Sequence, residues 1–190
     1  MDALIMCGGE GSRLNADVDK PLFEIGGTPM VERVRTALQQ SQADGVAAAV
    51  SSKTPATRES LDGRCRIIET PGAGYVPDLQ RAMAELSPPL LTVAADLPLL
   101  SSAVVDRVLD AQEGKQSLTV VVPRTLKEYL GVSIDTEAAF VPTGCNVVGA
   151  TDEEESYCSY DARLAVNVNT VADAATAANL AVSERTTDDD

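Results

Sequence analysis

Ala3-Leu-Ile-Met6 runs without a polar residue into Cys7-Gly8-Gly9-Glu10-Gly11-Ser12-Arg13. A short apolar run that stops at paired glycines reads as a buried parallel strand entering a loop. The loop continues through Asp19-Lys20-Pro21 to Gly26-Gly27. Thr28 then reads as an N-cap with Pro29 at the first helical position. Met30, Val31, Val34 and Leu38 follow on one helix face. Further strands are predicted at 46–50, 65–68, 90–95 (ending in Asp96), 144–148 and 164–168. Weak β segments are predicted at 131–134 and 139–141, and helices at 57–61, 76–86 and 171–181. This rhythm predicts an α/β chain: one Rossmann-like domain with a mostly parallel sheet and helices on both faces. No linker or repeat divides it. Residues 1–182 are expected to form the domain and 183–190 a disordered acidic tail.

A chain of 190 residues fits one domain that buries roughly 70% of its unfolded surface. With 15 Lys and Arg against 29 Asp and Glu its net charge is −14. Such a surface repels polyanions, so nucleic acid and anionic membranes are not expected as partners. No apolar run approaches the ~20 residues that cross a bilayer. The chain has no His, which excludes a Ser-His-Asp triad, a His-Cys dyad and a His-ligated zinc site. Cys7, Cys65, Cys145 and Cys158 lack metal-ligand spacing. Absent a leader peptide, reduced, mostly buried thiols and a cytoplasmic location are expected, with a disulfide as the alternative. The sequence leaves a homodimer as open as a monomer.

The glycine loop fits neither common phosphate fingerprint. G-x-G-x-x-G begun at Gly9 fails at Leu14, and the Gly-Lys-Ser/Thr of the Walker loop is absent. What remains is a run of backbone amides able to form an anion nest, followed by Arg13 and Lys20. The alternative is a tight turn whose cations pair with surface acids. In a chain of charge −14, however, a polyphosphate needs local positive charge to approach.

Leu4-x-x-Gly-Gly-x-Gly-x-Arg-Leu14, Lys20-Pro21-Leu22 and Gly27-x-Pro29-Met30 together resemble the opening signature of nucleotidyltransferases related to the molybdenum-cofactor guanylyltransferases. Thr70–Leu79, Phe140–Val148, Met1–Met6 and Asn167-Val-Asn-Thr170 are similar to segments of the archaeal-type GTP:adenosylcobinamide-phosphate guanylyltransferases. The resemblance covers Met1 to about Leu180. It implies a nucleotide-diphospho-sugar-transferase-like fold and a place in cobalamin biosynthesis. The implied reaction transfers GMP from GTP to adenosylcobinamide phosphate, releasing pyrophosphate, with Mg²⁺ as a candidate cofactor. The nucleophile would be a phosphate oxygen already ionised at neutral pH, so a chain without His needs no general base for it.

The resemblance also implies site roles. The amides of Gly8, Gly9 and Gly11, with Ser12 and Arg13, would hold the β- and γ-phosphates, and Lys20 would reach the α-phosphate. Asp96 would hold the metal, with Asn167 or Asn169 beside it. Ser51, Ser52 and Gly72–Gly74 would face the base, and Asp78 the guanine or ribose. Gly144 and Asn146 would line the acceptor side, and Tyr75 could stack on a flat ligand. Structural readings stand beside each: Asp96 capping the helix near Ser101, Asn169 or Thr170 capping the last helix, Asp78 favouring a helix dipole and Tyr75 packing in the core. Rival functions are a molybdenum-cofactor or sugar-phosphate nucleotidyltransferase of the same fold, and a non-catalytic GTP-binding module.

Only four of the 15 cations are Lys and only 3% of residues are aromatic. Together with the acidic excess this reads as adaptation to a halophilic cytosol near 1 M salt, where the Debye length falls to about 3 Å. The alternative is an ordinary acidic protein whose charge is inflated by Asp188-Asp189-Asp190. On the saline reading, dialysis from molar to millimolar KCl abolishes the cooperative thermal melt. A melting curve indifferent to KCl would overturn it.

Overall fold

The computed structural model describes residues 1–8, 14 and 18–187. Its centre is β1 (Asp2–Met6), whose apolar residues are buried on both faces of the sheet. Ala3 and Ile5 pack with α1 (Met30–Gln39) and α4 (Ser102–Asp110), whereas Leu4 and Met6 pack with α3 (Tyr75–Met83) on the opposite face. Burial on both faces is why this strand reads as a continuous apolar run rather than an alternating one. β1 pairs in parallel with β4 (Val46–Ser51) and β6 (Leu90–Ala94), and β4 pairs in parallel with β5 (Arg66–Thr70).

Beyond β6 the sheet continues through β8 (Phe140–Val148), β7 (Ser117–Pro123) and β9 (Glu154–Cys158), in the order β5-β4-β1-β6-β8-β7-β9. β8 alone runs antiparallel to its neighbours. The chain builds outward from β1 to β5 and then returns to β1's other side as β6. That reversal opens a crevice at the carboxyl ends of β1 and β6, where ligands bind in open α/β sheets.

Several local expectations are corrected. Thr28 is not an N-cap: Gly26 and Gly27 both take positive φ, closing a tight hairpin between β2 (Glu24–Ile25) and β3 (Thr28–Pro29). Such a turn places the following residue in the ladder, so Pro29 becomes the cap. The segments at 139–141 and 144–148 merge into β8, and the segment at 131–134 is a loop after α5 (Arg124–Leu130), ended by Gly131 in a left-handed conformation. Residues 164–168 form no strand. Asp161 caps the short α6 (Ala162–Ala165), and the chain then extends without a partner strand. α7 runs Val171–Thr187, six residues past its expected end and into the segment expected to be a disordered tail. The remaining helix, α2, spans Pro55–Leu61. All four cysteines are free: Cys7 and Cys145 are buried, Cys65 partly so, and Cys158 is exposed. Among the described residues no helix is long and apolar enough to cross a membrane.

The β7–β8 ladder shifts register between Thr119 and Val121, leaving the buried Val120 without a ladder partner in β8. Asn146 Oδ1 accepts from its amide at 3.0 Å. Asn146, expected from the resemblance on the acceptor side, engages its side-chain carbonyl in closing this bulge. Asn146→Ala should therefore cost about 1–3 kcal/mol in chemical denaturation, while Asn146→Asp, which keeps an acceptor, should lose less. An Ala variant as stable as the parent would refute the role.

Candidate active site

The crevice is walled by Met6–Gly8 after β1, Lys20 and Pro21, the start of α3, and Ala94–Asp96 at the end of β6. Each wall is placed by a separate local device. Lys20 opens a 3-10 turn, Lys20–Leu22, with Pro21 buried behind it. The turn is pinned from one side by Asp19, whose Oδ2 accepts from the Thr57 amide (2.8 Å) and hydroxyl (3.0 Å) in α2. Asp96 follows β6, and the Ala95 amide continues the ladder by donating to Met6 O at 3.2 Å.

Asn167 and Asn169 arrive by simple alternation. The segment after α6 is extended, and the Val168 amide donates to Asp96 O at 2.9 Å. Val166 and Val168 are buried in a cluster with α7, so the asparagines between and after them project to the other side. Lys20 Nζ lies 2.6 Å from Asp96 Oδ2 and donates to Asn169 Oδ1 at 2.7 Å. Asn167 Nδ2 donates to Asp96 Oδ1 at 3.1 Å and to Thr143 O at 2.9 Å. Asn167 Oδ1 in turn accepts from Lys127 Nζ at 3.2 Å. The end of Asn167 that faces Asp96 is thus its NH₂ group, and the oxygen through which it was expected to ligate a metal is turned toward Lys127. Of the two residues read as caps of the last helix, Thr170 is one, its hydroxyl accepting from the Asp173 amide at 3.2 Å, whereas the Asn169 side chain holds Lys20. Asp96 likewise faces the crevice rather than a helix end.

On the α3 side, Asp78 is 2% exposed and its Oδ1 accepts from the Gly72 amide at 2.8 Å. It stands against the end of β1, where a Cβ on Gly8 would lie 3.0 Å from Asp78 Oδ2. Gly74 and Asp78 line the crevice with Gly8. Ser51 lies just outside it, next to Gly72, with its hydroxyl accepting from the Lys53 amide at 3.2 Å. Tyr75 is half exposed at the crevice wall, its hydroxyl 3.2 Å from that of Thr92. Gly144 sits behind the crevice against Ala94 and Asn167. Gly9, Gly11, Ser12 and Arg13 lie outside the described residues.

Two residues that sequence reasoning missed complete the site. Asp173, in the first turn of α7, is 1% exposed. It accepts from the Ser133 amide and hydroxyl and from the Asn169 and Thr170 amides, at 2.7–3.0 Å. The carboxylate thereby fixes the backbone of Asn169. Burial pushes the Asp173 carboxyl up, and these hydrogen bonds outweigh it, holding the group below its ordinary value. Lys127 is 3% exposed on α5. Burial pushes its ammonium below the usual lysine value, against the pull of Asp173, Asp96 and Asp135. Neither carried a spacing signal.

A lysine and an aspartate facing one another at a sheet's switch point, beside Gly8, form a constellation suited to neutralising charge on phosphate groups. The comparisons with known proteins agree. Residues 3–180 match the family model described as MobA-like NTP transferase domain. The chain belongs to the MobA-like NTP transferase family. It is 32% identical over 90% of its length to the adenosylcobinamide-phosphate guanylyltransferase of Methanocaldococcus jannaschii, covering 92% of that protein. It is 30% identical over 79% of its length to the bifunctional protein GlmU of Maricaulis maris, covering 32% of that protein. A nucleotidyl transferase from Methanothermobacter thermautotroptrophicus shares the fold with a TM-score of 0.73 at 16% identity, over 96% of this chain and 98% of that one. A CMP:2-keto-3-deoxy-manno-octonic acid synthetase complexed with CTP does so with 0.67 at 13%, over the same shares. This MobA-like chain is a nucleotidyltransferase.

Because the Asp173 carboxyl is depressed in the folded chain, its stabilisation is complete above the ordinary carboxylate value of about 3.9. It is lost as the pH falls through the lower folded value. Asp173→Asn should cost about 2–3 kcal/mol at neutral pH, and the gap should close as the pH drops below 4. Denaturation of both proteins across that window is the check; a gap that widens on acidification would refute the assignment.

Proposed function

We propose that this chain transfers GMP from GTP to adenosylcobinamide phosphate, giving adenosylcobinamide-GDP and pyrophosphate. A phosphate oxygen of the acceptor forms the new bond to the α-phosphorus. The bond from the α-phosphorus to the bridging oxygen breaks, and the electron pair leaves on pyrophosphate. The nucleophile is already an anion, so the protein has no proton to remove. Its task is to bring two anions together and neutralise charge in flight.

The observation that carries this reading is Lys20, whose ammonium is held 2.6 Å from Asp96 and 2.7 Å from Asn169 in the crevice that Gly8 also lines. An incoming triphosphate offers Lys20 a stronger partner, and release from Asp96 brings the cation onto the α-phosphate. The amides of Gly8, Gly9 and Gly11, with Ser12 and Arg13, hold the β- and γ-phosphates. Asp78, Ser51 and Gly74 bound the nucleoside side, and Gly144 the acceptor side. The choice of acceptor rests on the M. jannaschii relative's name and on 32% identity across nearly its whole length.

Mg²⁺ is usually held by one or two carboxylates with the remaining positions left to phosphates and water. Asp96 alone fits that pattern, and among the described residues no group of three ligating acids or cysteines exists. Bound there, the ion would neutralise charge on the phosphates.

Pyrophosphate should be released from GTP only when adenosylcobinamide phosphate is present, and not from ATP or CTP. Release driven by a molybdopterin or sugar-phosphate acceptor would overturn the assignment, and GTP binding without any release would favour a sensing module. Lys20→Ala should lower kcat by about 10²–10³-fold while weakening GTP binding far less. Equal losses in both would make Lys20 a ground-state binder.

A further inference from the structure

We propose that Lys127 is a positioning residue that fixes the Asn167 amide and, through it, the Asp96 carboxylate, a role in turnover that rests on the nucleotidyl-transfer reading above. Lys127 projects from α5, outside the walls of the crevice, and is 3% exposed. Burying a lysine is costly unless its charge is answered by polar partners. Its hydrogen-bond partner is Asn167 Oδ1 at 3.2 Å, with the carboxylates of Asp173, Asp96 and Asp135 adding their attraction.

An ammonium donates hydrogen bonds and accepts none, so the atom of an amide that faces it must be the oxygen. That requirement turns Asn167 Nδ2 toward Asp96 Oδ1 at 3.1 Å and Thr143 O at 2.9 Å, two groups that accept. All three contacts agree on one orientation. A flipped amide would oppose oxygen to carboxylate, oxygen to carbonyl and NH₂ to ammonium at once. Lys127 thus acts on Asp96 through a single intermediary. It holds Oδ1 occupied and leaves Oδ2 directed at Lys20, 2.6 Å away. Gly144 neighbours this relay: a Cβ there would lie 3.6 Å from Asn167 Nδ2, an ordinary contact distance.

Support shells of this kind contribute about 10–100-fold to activity. Lys127→Met should lower kcat in that range with KM for GTP nearly unchanged, and Lys127→Arg, which keeps a donor-only cation, should recover part of the loss. In an Asn167→Ala background the Lys127→Met change should cost little more, because the intermediary is already gone. Full additivity would overturn the relay.

A second readout needs no substrate. Both Nδ2 hydrogens of Asn167 are engaged in the parent protein, so its side-chain amide pair should exchange slowly in NMR spectra and lose that protection in Lys127→Met. Unchanged protection in the folded variant would overturn the proposal. Should Lys127→Met not fold, Asn167→Asp carries the test. It keeps an oxygen for Lys127 but sets a second carboxylate against Asp96, and should lose as much turnover as Asn167→Ala; parental turnover would refute the relay. A parent chain with a protected Asn167 amide and no nucleotidyl transfer would sink the functional reading alone.

Discussion

The contact between Lys20 and Asp96 is the constraint to which the rest of the molecule answers. A chain of net charge −14 repels a triphosphate everywhere except where a cation is held at the right place. A lysine held largely out of water needs a counter-charge or polar partners close by. Asp96 supplies the counter-charge at 2.6 Å, with side-chain exposures of 12% and 18% for the two partners. Neither residue is near the other in sequence, so the pair exists only because parallel pairing of β1 and β6 sets Met6 beside Ala94. The 3-10 turn is steadied by Asp19 on α2, and the extended run after α6 is tied to Asp96 by one backbone bond. Both serve that meeting.

Behind the pair stands a layer of polar groups that is buried and mutually satisfied. Asp173 gathers four donors and fixes Asn169, while Lys127 and Thr143 between them orient Asn167. A half-satisfied network of this kind would cost more than an apolar core, and a satisfied one makes a rigid support. Asp173, Lys127, Asn167 and Asn169 come from three elements, α5, the segment after α6, and α7, which meet only on the folded sheet.

The apolar strand at 3–6 and the strand ending in Asp96 were legible because burial on both faces writes an unbroken hydrophobic run. Gly8 and Lys20, which the sequence had singled out, both line the crevice, as small residues and a cation suit a site for phosphates. Other elements hid for equally physical reasons. β9, at the sheet edge, is mostly exposed and carries Glu154 and Glu155, so its sequence looks like loop. Residues 164–168 mimic a strand because Val166 and Val168 alternate with outward residues, yet they bury against α7 rather than pair. Lys127 in Arg-Thr-Leu-Lys-Glu-Tyr-Leu reads as the wet side of an amphipathic helix. Asp173 reads as an ordinary first-turn acid.

Local chemistry along the chain determined the strand–helix rhythm, the absence of any histidine mechanism and the singling out of Lys20 and Asp96, which meet in the crevice. Each of those follows from nearest neighbours and residue type. Which way Asn167 turns, that Asn146 mends a bulge, and that Lys127 is buried were decided only by the tertiary structure. Hydrogen-bond direction and burial are properties of groups brought together across the sheet, and a linear order of residues does not contain them.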